Sequence, residues 1–302
     1  MKKEITTKKE AWLHAVRLRT LPLALASILA GSFLAKWQDE FRWEILLLAS
    51  LTTIFLQILS NLSNDYGDTV HGADSAERQG PVRAVQSGII SLAEMKRAMY
   101  LFGFLSLLSG LLLIYLALDD WKLFLLFLGI GITAIWAAIT YTSGSKPYGY
   151  AGLGDISVFV FFGLTGVLGT YFLHTLSFEP LAVWIAISLG CFSTAVLNIN
   201  NIRDIESDEK AGKKSIPVRI GRKKAVQYNW ALLTIGYLAL VTFAILSTQH
   251  LSLIATLAWP LMMRVGYGVQ NAQNSAQTDP FLKKMALSTL LWTILFGLGV
   301  IF

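Results

Sequence analysis

One cysteine (Cys191), four histidines and seven prolines are all that the 302 residues hold of three residue types on which many scaffolds and sites depend. A lone cysteine closes no intramolecular bridge, so a disulfide-stapled secreted domain is excluded. No Cys or His cluster stands at metal-ligand spacing, which argues against a zinc centre. Charge is scarce as well: Asp, Glu, Lys and Arg make up 15% of the chain, against about 25% in soluble globular proteins. Hydrophobic residues make up 54% and aromatics 12%, more apolar surface than one soluble domain of this length can hide and too many aromatics for disorder.

Apolar runs of about twenty residues, enough to cross about 30 Å of hydrocarbon as a helix, recur near 19–36, 43–63, 98–118, 121–141, 153–173, 181–200, 228–248, 251–271 and 285–302. The sequence therefore predicts an all-α, polytopic membrane protein with nine transmembrane helices, and the whole of 1–302 reads as a single membrane domain. The first run continues into polar residues without a small-residue cleavage site, so it reads as a retained helix and not a signal peptide.

The net charge of +6 is a topology signal. Of the 25 Lys and Arg residues, 21 fall on the N-terminal side of these spans, while only Lys36, Arg42 and Lys122 fall on the other and Arg264 lies within a span. By the positive-inside rule the segment 1–18 and the even-numbered loops are cytoplasmic. That distribution removes the case for nucleic acid as a partner. The outer connections are short, whereas two cytoplasmic loops, 64–97 and 201–227, are long and carry both charge signs. Long loops between packed elements are usually functional.

Both of these loops begin in acids. The second span runs into Asn61-Leu-Ser-Asn64-Asp65-Tyr-Gly-Asp68, and if the helix continues, Asn61, Asp65 and Asp68 share a face at i, i+4 and i+7. The sixth ends in Asn200-Asn201-Ile-Arg-Asp204, with Asp208 four residues on; Asn200, Asp204 and Asp208 again share a face in a continuous helix. Either cluster alone reads equally well as a solvated loop edge. Their repetition four spans apart, on one side of the membrane, favours a shared site between related halves. Oxygen-only ligand sets select hard cations, and Mg²⁺ is characteristically held by a few carboxylates together with substrate phosphates. His71 reads more readily as a solvated loop residue than as a ligand. Arg83, Lys146, Lys213, Lys214 and Arg219 add the cations that an anionic diphosphate requires.

At these residues the chain resembles the UbiA superfamily of intramembrane prenyltransferases, which carry an Asn-Asp-x-x-Asp motif and a second Asp-x-x-x-Asp motif after the second and sixth of nine helices. The resemblance extends over Asp204 to Gly221. Within the superfamily, the segments Arg17 to Pro22, Asn64 to Asp68 followed by Gly72 and Asp74, and Lys146 to Tyr150 followed by Gly152 to Asp155 resemble the 1,4-dihydroxy-2-naphthoate prenyltransferases of menaquinone synthesis. The resemblance implies a UbiA-like bundle around a central cavity in a bacterial inner membrane, its active site facing the cytoplasm. It implies Mg²⁺ on Asp65, Asp68, Asp204 and Asp208, and transfer of a long isoprenyl group from a polyprenyl diphosphate to 1,4-dihydroxy-2-naphthoate with loss of CO₂. Asn61, Asn64, Asp74, Arg83, Tyr141, Lys146, Asn200, Asn201, Lys213, Lys214 and Arg219 are the implied substrate contacts. Two spacings depart from the pattern: Asp74 follows Asp68 after five residues where many relatives have three, and one extra residue separates Tyr141 from Lys146. A transporter of an anionic lipid is the main rival outside enzymes, but it predicts charges near the bilayer centre, whereas these acids lie at one edge.

Overall fold

Pro22, which has no amide hydrogen to lose in a first helical turn, starts the first long helix. The computed structural model describes residues 7–72 and 83–302, and the secondary structure of the described residues is all helical, without strands. A short helix α1 (Lys8–Val16) ends at Arg17, a left-handed residue with φ 52°, and a 3₁₀ turn (Leu18–Thr20) leads into α2 (Leu21–Trp37). Then follow α3 (Trp43–Val70), α4 (Leu92–Ala117) and α5 (Trp121–Thr140). Ser91 and Glu94 form a reciprocal capping box at the start of α4, satisfying two otherwise orphan amides. Asp120 accepts the amides of Lys122 and Leu123 at 2.8 and 2.9 Å, which is why two adjoining apolar runs divide there into two helices.

The next span is α6 (Gly154–Val158), a π-helical run (Phe159–Gly169) and α7 (Thr170–Thr175) in direct succession. It is followed by α8 (Ala182–Arg203), the short α9 (Ile205–Lys210) and α10 (Ile216–Leu246), which is kinked where Gly221 takes φ 78°. A 3₁₀ segment (His250–Ala258), α11 (Trp259–Asn271) and α12 (Ser275–Ile301) complete the chain.

Among the described residues, eight helical stretches, the first being Lys8–Trp37, are long and apolar enough to cross a membrane. The run expected at 251–271 is not among them. Pro260, in the first turn of α11, cannot donate to a preceding turn, so this stretch divides into a 3₁₀ segment and a thirteen-residue α-helix.

α8 is the most enclosed span; it packs against α10, α12 and the π-helical run around Phe192, Phe243, Trp292 and Phe296. α2 joins this group to a second one made of α3, α4 and α5. α4 and α5 turn Phe104, Tyr115, Trp121 and Trp136 outward, as a lipid-facing surface does. Between the two groups lies a cavity of about 620 Å³ that runs from the ends of α3 and α8 to Leu113, Ile114 and Leu173.

Candidate active site

α3 continues as a helix through Val70, so Asn61, Asp65 and Asp68 do share one side of it. The three side chains have different work. Asn61, 2% exposed, donates to the Val16 carbonyl and to Thr20 Oγ1, both at 2.9 Å. It thereby fixes the break between α1 and α2 that presents Arg17 and Arg19 to the cavity. Asp65 accepts the backbone amides of Ala84 (3.1 Å) and Val85 (3.4 Å) and so docks the segment that carries Arg83. Asp68 lies on the cavity wall, where Arg83 Nη2 (2.7 Å) and the Tyr150 hydroxyl (3.0 Å) donate to its two oxygens.

Close packing of α3 on the loop after α5 sets this geometry. A Cβ at Gly67 would collide with the Thr142 carbonyl. Thr142 Oγ1 donates to the Ser63 carbonyl at 2.9 Å and to Asn64 Oδ1 at 3.0 Å. Tyr141 lines the cavity beside Asn64, Asn200 and Lys213, with its ring edge-on to Tyr148 at 5.4 Å.

The second motif is built differently. The helical run of α8 breaks at Asp204 (φ −101°, ψ 11°) before α9 resumes, so Asn200, Asp204 and Asp208 do not lie along one continuous helix. Arg203 organises the first two. Its Nε and Nη2 grip both Asp204 oxygens at 2.8 and 2.5 Å, Nη2 also reaches Asn200 Oδ1 at 2.9 Å, and Nη1 reaches Asp279 Oδ1 of α12 at 2.6 Å. Arg19 approaches the same Asp279 at 3.3 Å, so the 3₁₀ turn before α2, the end of α8 and the start of α12 meet in one charge network.

Asp208 is 5% exposed, and Lys213 Nζ stands 3.4 Å from its Oδ1. Burial pushes the Asp208 carboxyl up to about 6, with Asp204 and Asp68 adding to the rise and Lys213 opposing it. Burial works against the charge on Lys213, but Asp208 and Asp68 outweigh it and hold the ammonium above the ordinary lysine value. Burial and the neighbouring Asp68 likewise raise the Tyr150 phenol.

The remaining candidates divide. Lys213, Arg83, Asn64, Asn200 and Tyr141 line the cavity together with Asn61 and Asp68. Lys146 is exposed and not part of the wall. Lys214 and Arg219 are exposed too, and they join loops: the Lys214 amide donates to the Tyr150 carbonyl at 2.9 Å, while Arg219 donates to the carbonyls of Lys214 and Ala151. Gly152, at φ 78°, permits this contact, because a Cβ there would run into the Lys214 carbonyl. Asp155 is buried and bonded to Tyr228, off the cavity wall. Asp74 lies outside the described residues. Sequence reasoning missed Tyr150, Arg203 and Asp279. Tyr150 stands in the quoted Lys-Pro-Tyr-Gly-Tyr segment, whereas Arg203 was counted only as a topology charge.

Among the described residues no three His, Cys, Asp or Glu side chains converge closely enough to hold an ion as they stand. The donor chemistry fits a hard cation all the same: Asp208 Oδ2 and Asn201 Oδ1 are buried without a hydrogen-bond partner, and oxygen donors of this kind suit Mg²⁺. Buried polar atoms left unpaired are costly, and a ligand that engages them recovers that cost.

Residues 24–299 match the UbiA prenyltransferase family. The chain is similar to the 1,4-dihydroxy-2-naphthoate octaprenyltransferase of Haemophilus influenzae, at 46% identity over 99% of this chain and 98% of the relative. It is similar to the enzyme of the same name from Escherichia coli, at 42% identity over 99% and 98%. In fold it is similar to a UbiA homologue from Aeropyrum pernix (TM-score 0.64, 15% identity, 98% of each chain). A UbiA homologue from Archaeoglobus fulgidus bound to GPP and Mg²⁺ is similar as well (TM-score 0.60, 18% identity, 96% of this chain and 99% of that one).

Proposed function

The chain belongs to the UbiA prenyltransferase family, and from that premise we propose that it transfers a long isoprenyl group from a polyprenyl diphosphate to 1,4-dihydroxy-2-naphthoate. The observation that carries this reading is the meeting of two acidic motifs with a largely buried Arg83 and a buried Lys213 at one end of a long apolar cavity. The acceptor is supported by full-length similarity to enzymes named for it, whose names also favour an octaprenyl donor. A cavity of about 620 Å³ is of ordinary small-ligand size, so so long a tail extends between helices into lipid.

In this reading Asp65, Asp68, Asp204 and Asp208 would hold Mg²⁺, which would supply positive charge to offset that of the departing diphosphate. Arg83 and Lys213 bind the same anion from the protein side. The apolar wall keeps water from the allylic carbon as its bond to oxygen breaks. The ring carbon bearing the carboxylate takes up that allylic carbon and forms a new C–C bond. The bond to the carboxylate then breaks, CO₂ leaves, and its electron pair restores the aromatic ring. No proton is gained or lost, and the product is the reduced, diol form of a demethylmenaquinone.

The membrane assignment belongs to the same proposal: one domain, nine spans with 251–271 as the eighth, a cytoplasmic N-terminus and a site facing the cytoplasm of a bacterial inner membrane. The test of the reaction is incubation of the purified protein with octaprenyl diphosphate and a panel of aromatic acceptors, followed by mass spectrometry. Product should form from dihydroxynaphthoate, cease with EDTA and return with Mg²⁺. Preference for para-hydroxybenzoate would keep the prenyltransferase and replace the acceptor.

A further inference from the structure

Each of the four motif carboxylates is already engaged by the protein. Asp65 holds two backbone amides, Asp68 holds Arg83 and Tyr150, Asp204 holds Arg203, and Asp208 holds Lys213. Of the three cations Lys213 is the least fixed. Arg203 is pinned by Asp204, Asn200 and Asp279 together, and Arg83 donates to Asp68 at 2.7 Å. The Lys213 ammonium lies 3.4 Å from Asp208, beyond the usual 2.7–2.9 Å or so of a charge-assisted hydrogen bond. It stands 5.8 Å over the ring of Tyr150, whose hydroxyl is bound to Asp68. Lys213 thus bridges the first motif and the second, and a lysine is a point charge on a flexible stem.

Charge bookkeeping gives this placement a consequence. Among the described residues, Asp68, Asp204 and Asp208 each face a cation, Arg83, Arg203 and Lys213 in turn, while Asp65 faces two backbone amides. A divalent cation arriving alone would add two positive charges beside a buried ammonium and compete with it for the Asp208 carboxylate. A diphosphate arriving with the metal supplies compensating negative charge and a new partner for the lysine.

We propose that Lys213 is the resident counter-ion of the two acidic motifs in the metal-free enzyme, and that the divalent metal enters only together with a diphosphate, which takes over the displaced ammonium. The inference rests on the diphosphate reading of the site and adds to it an obligatory coupling between the two ligands. Lys213 therefore serves twice, standing in for the metal before substrate arrives and holding the diphosphate afterwards.

The test is equilibrium binding of Mn²⁺, as a probe for Mg²⁺, to the full chain in nanodiscs at fixed free Mn²⁺, with and without inorganic pyrophosphate. In the wild type, pyrophosphate should tighten Mn²⁺ binding at least tenfold. Lys213→Gln should bind Mn²⁺ alone at least tenfold more tightly than the wild type does, with most of the pyrophosphate effect gone. Lys213→Arg, which keeps the charge, should retain the wild-type pattern. Mn²⁺ binding to Lys213→Gln alone that is no tighter than wild type would overturn the proposal. Equal wild-type affinity with and without pyrophosphate would overturn it too, and that measurement does not depend on the variant folding. If the wild type binds neither Mn²⁺ nor pyrophosphate under any condition, the diphosphate reading fails along with it, whereas pyrophosphate-dependent binding without the Lys213→Gln effect removes only the role of Lys213.

Discussion

Arg203 grips the carboxylate of its own chain neighbour, Asp204, with two nitrogens at 2.8 and 2.5 Å, and a third nitrogen anchors it to Asp279, 76 residues away. A carboxylate at a helix break has free rotation unless something fixes it, and here the fixing group is itself held from α12. Asp279→Ala should therefore leave a fully buried guanidinium short of a partner. Breaking a buried pair costs about 3–5 kcal/mol; the Asp279 side chain is 28% exposed and Arg203 keeps Asp204, so about 1–2 kcal/mol is expected. Thermal unfolding in detergent checks this, and an unchanged midpoint would show that the network carries no stability.

Three of the four motif acids should separate by experiment. Asp68→Asn removes an oxygen donor on the cavity wall and Asp208→Asn a buried one without a hydrogen-bond partner; each should lower kcat at least about a hundredfold, the scale on which single stabilising groups act in catalysis, while the protein still purifies as a folded species. Asp65→Asn should lower kcat as the loss of a metal ligand does and should in addition weaken folding, because its two oxygens also hold the amides of Ala84 and Val85 and so the segment that presents Arg83. Steady-state kinetics beside thermal unfolding distinguishes the two classes.

Much of this architecture was legible before any coordinates. The apolar runs gave eight of the expected spans, and the run of α3 through Val70 put Asn61, Asp65 and Asp68 on one side as the spacing required. The break at Asp119–Asp120 follows from local capping, which a sequence displays. What was not legible depends on partners far apart in the chain. Helical spacing could not foresee that the helix ends at Asp204, nor that Asp279 reaches Arg203. Lys214 and Arg219 look like anion ligands by type, but their backbone and guanidinium bonds go to the loop at Tyr150 and Ala151. The 251–271 run has the composition of a span, yet Pro260 divides it into two kinds of helix.

Gly67 sits where α3 crosses the loop after α5, with its missing Cβ against the Thr142 backbone. Gly67→Ala should push that loop away, destabilising the protein by about 1–3 kcal/mol, the cost of overpacking, and shifting Tyr150 off Asp68. The expected result is a lower thermal midpoint together with a raised KM for the diphosphate. Normal values for both would mean that the two elements tolerate separation.

Topology can be read from a single thiol. Cys191 is buried, and Glu209, on α9 beside Asp208, is exposed. In a Cys191→Ser background, Glu209→Cys should react with a membrane-impermeant maleimide only after the cell is opened, as the excess of positive charge on that side requires. Labelling of intact cells would place the acidic motifs on the outer face.

The central claim is that a polyprenyl diphosphate and a naphthoate are joined with loss of the acceptor carboxylate. The direct measurement supplies carboxyl-labelled 1,4-dihydroxy-2-naphthoate, octaprenyl diphosphate and Mg²⁺ to the purified protein, and follows both product mass and released label. The account predicts a naphthalene product that has gained one prenyl chain and lost the carboxylate, with one labelled CO₂ released for each product formed. A prenylated product that keeps the label, or metal-dependent diphosphate binding with no product at all, would contradict it.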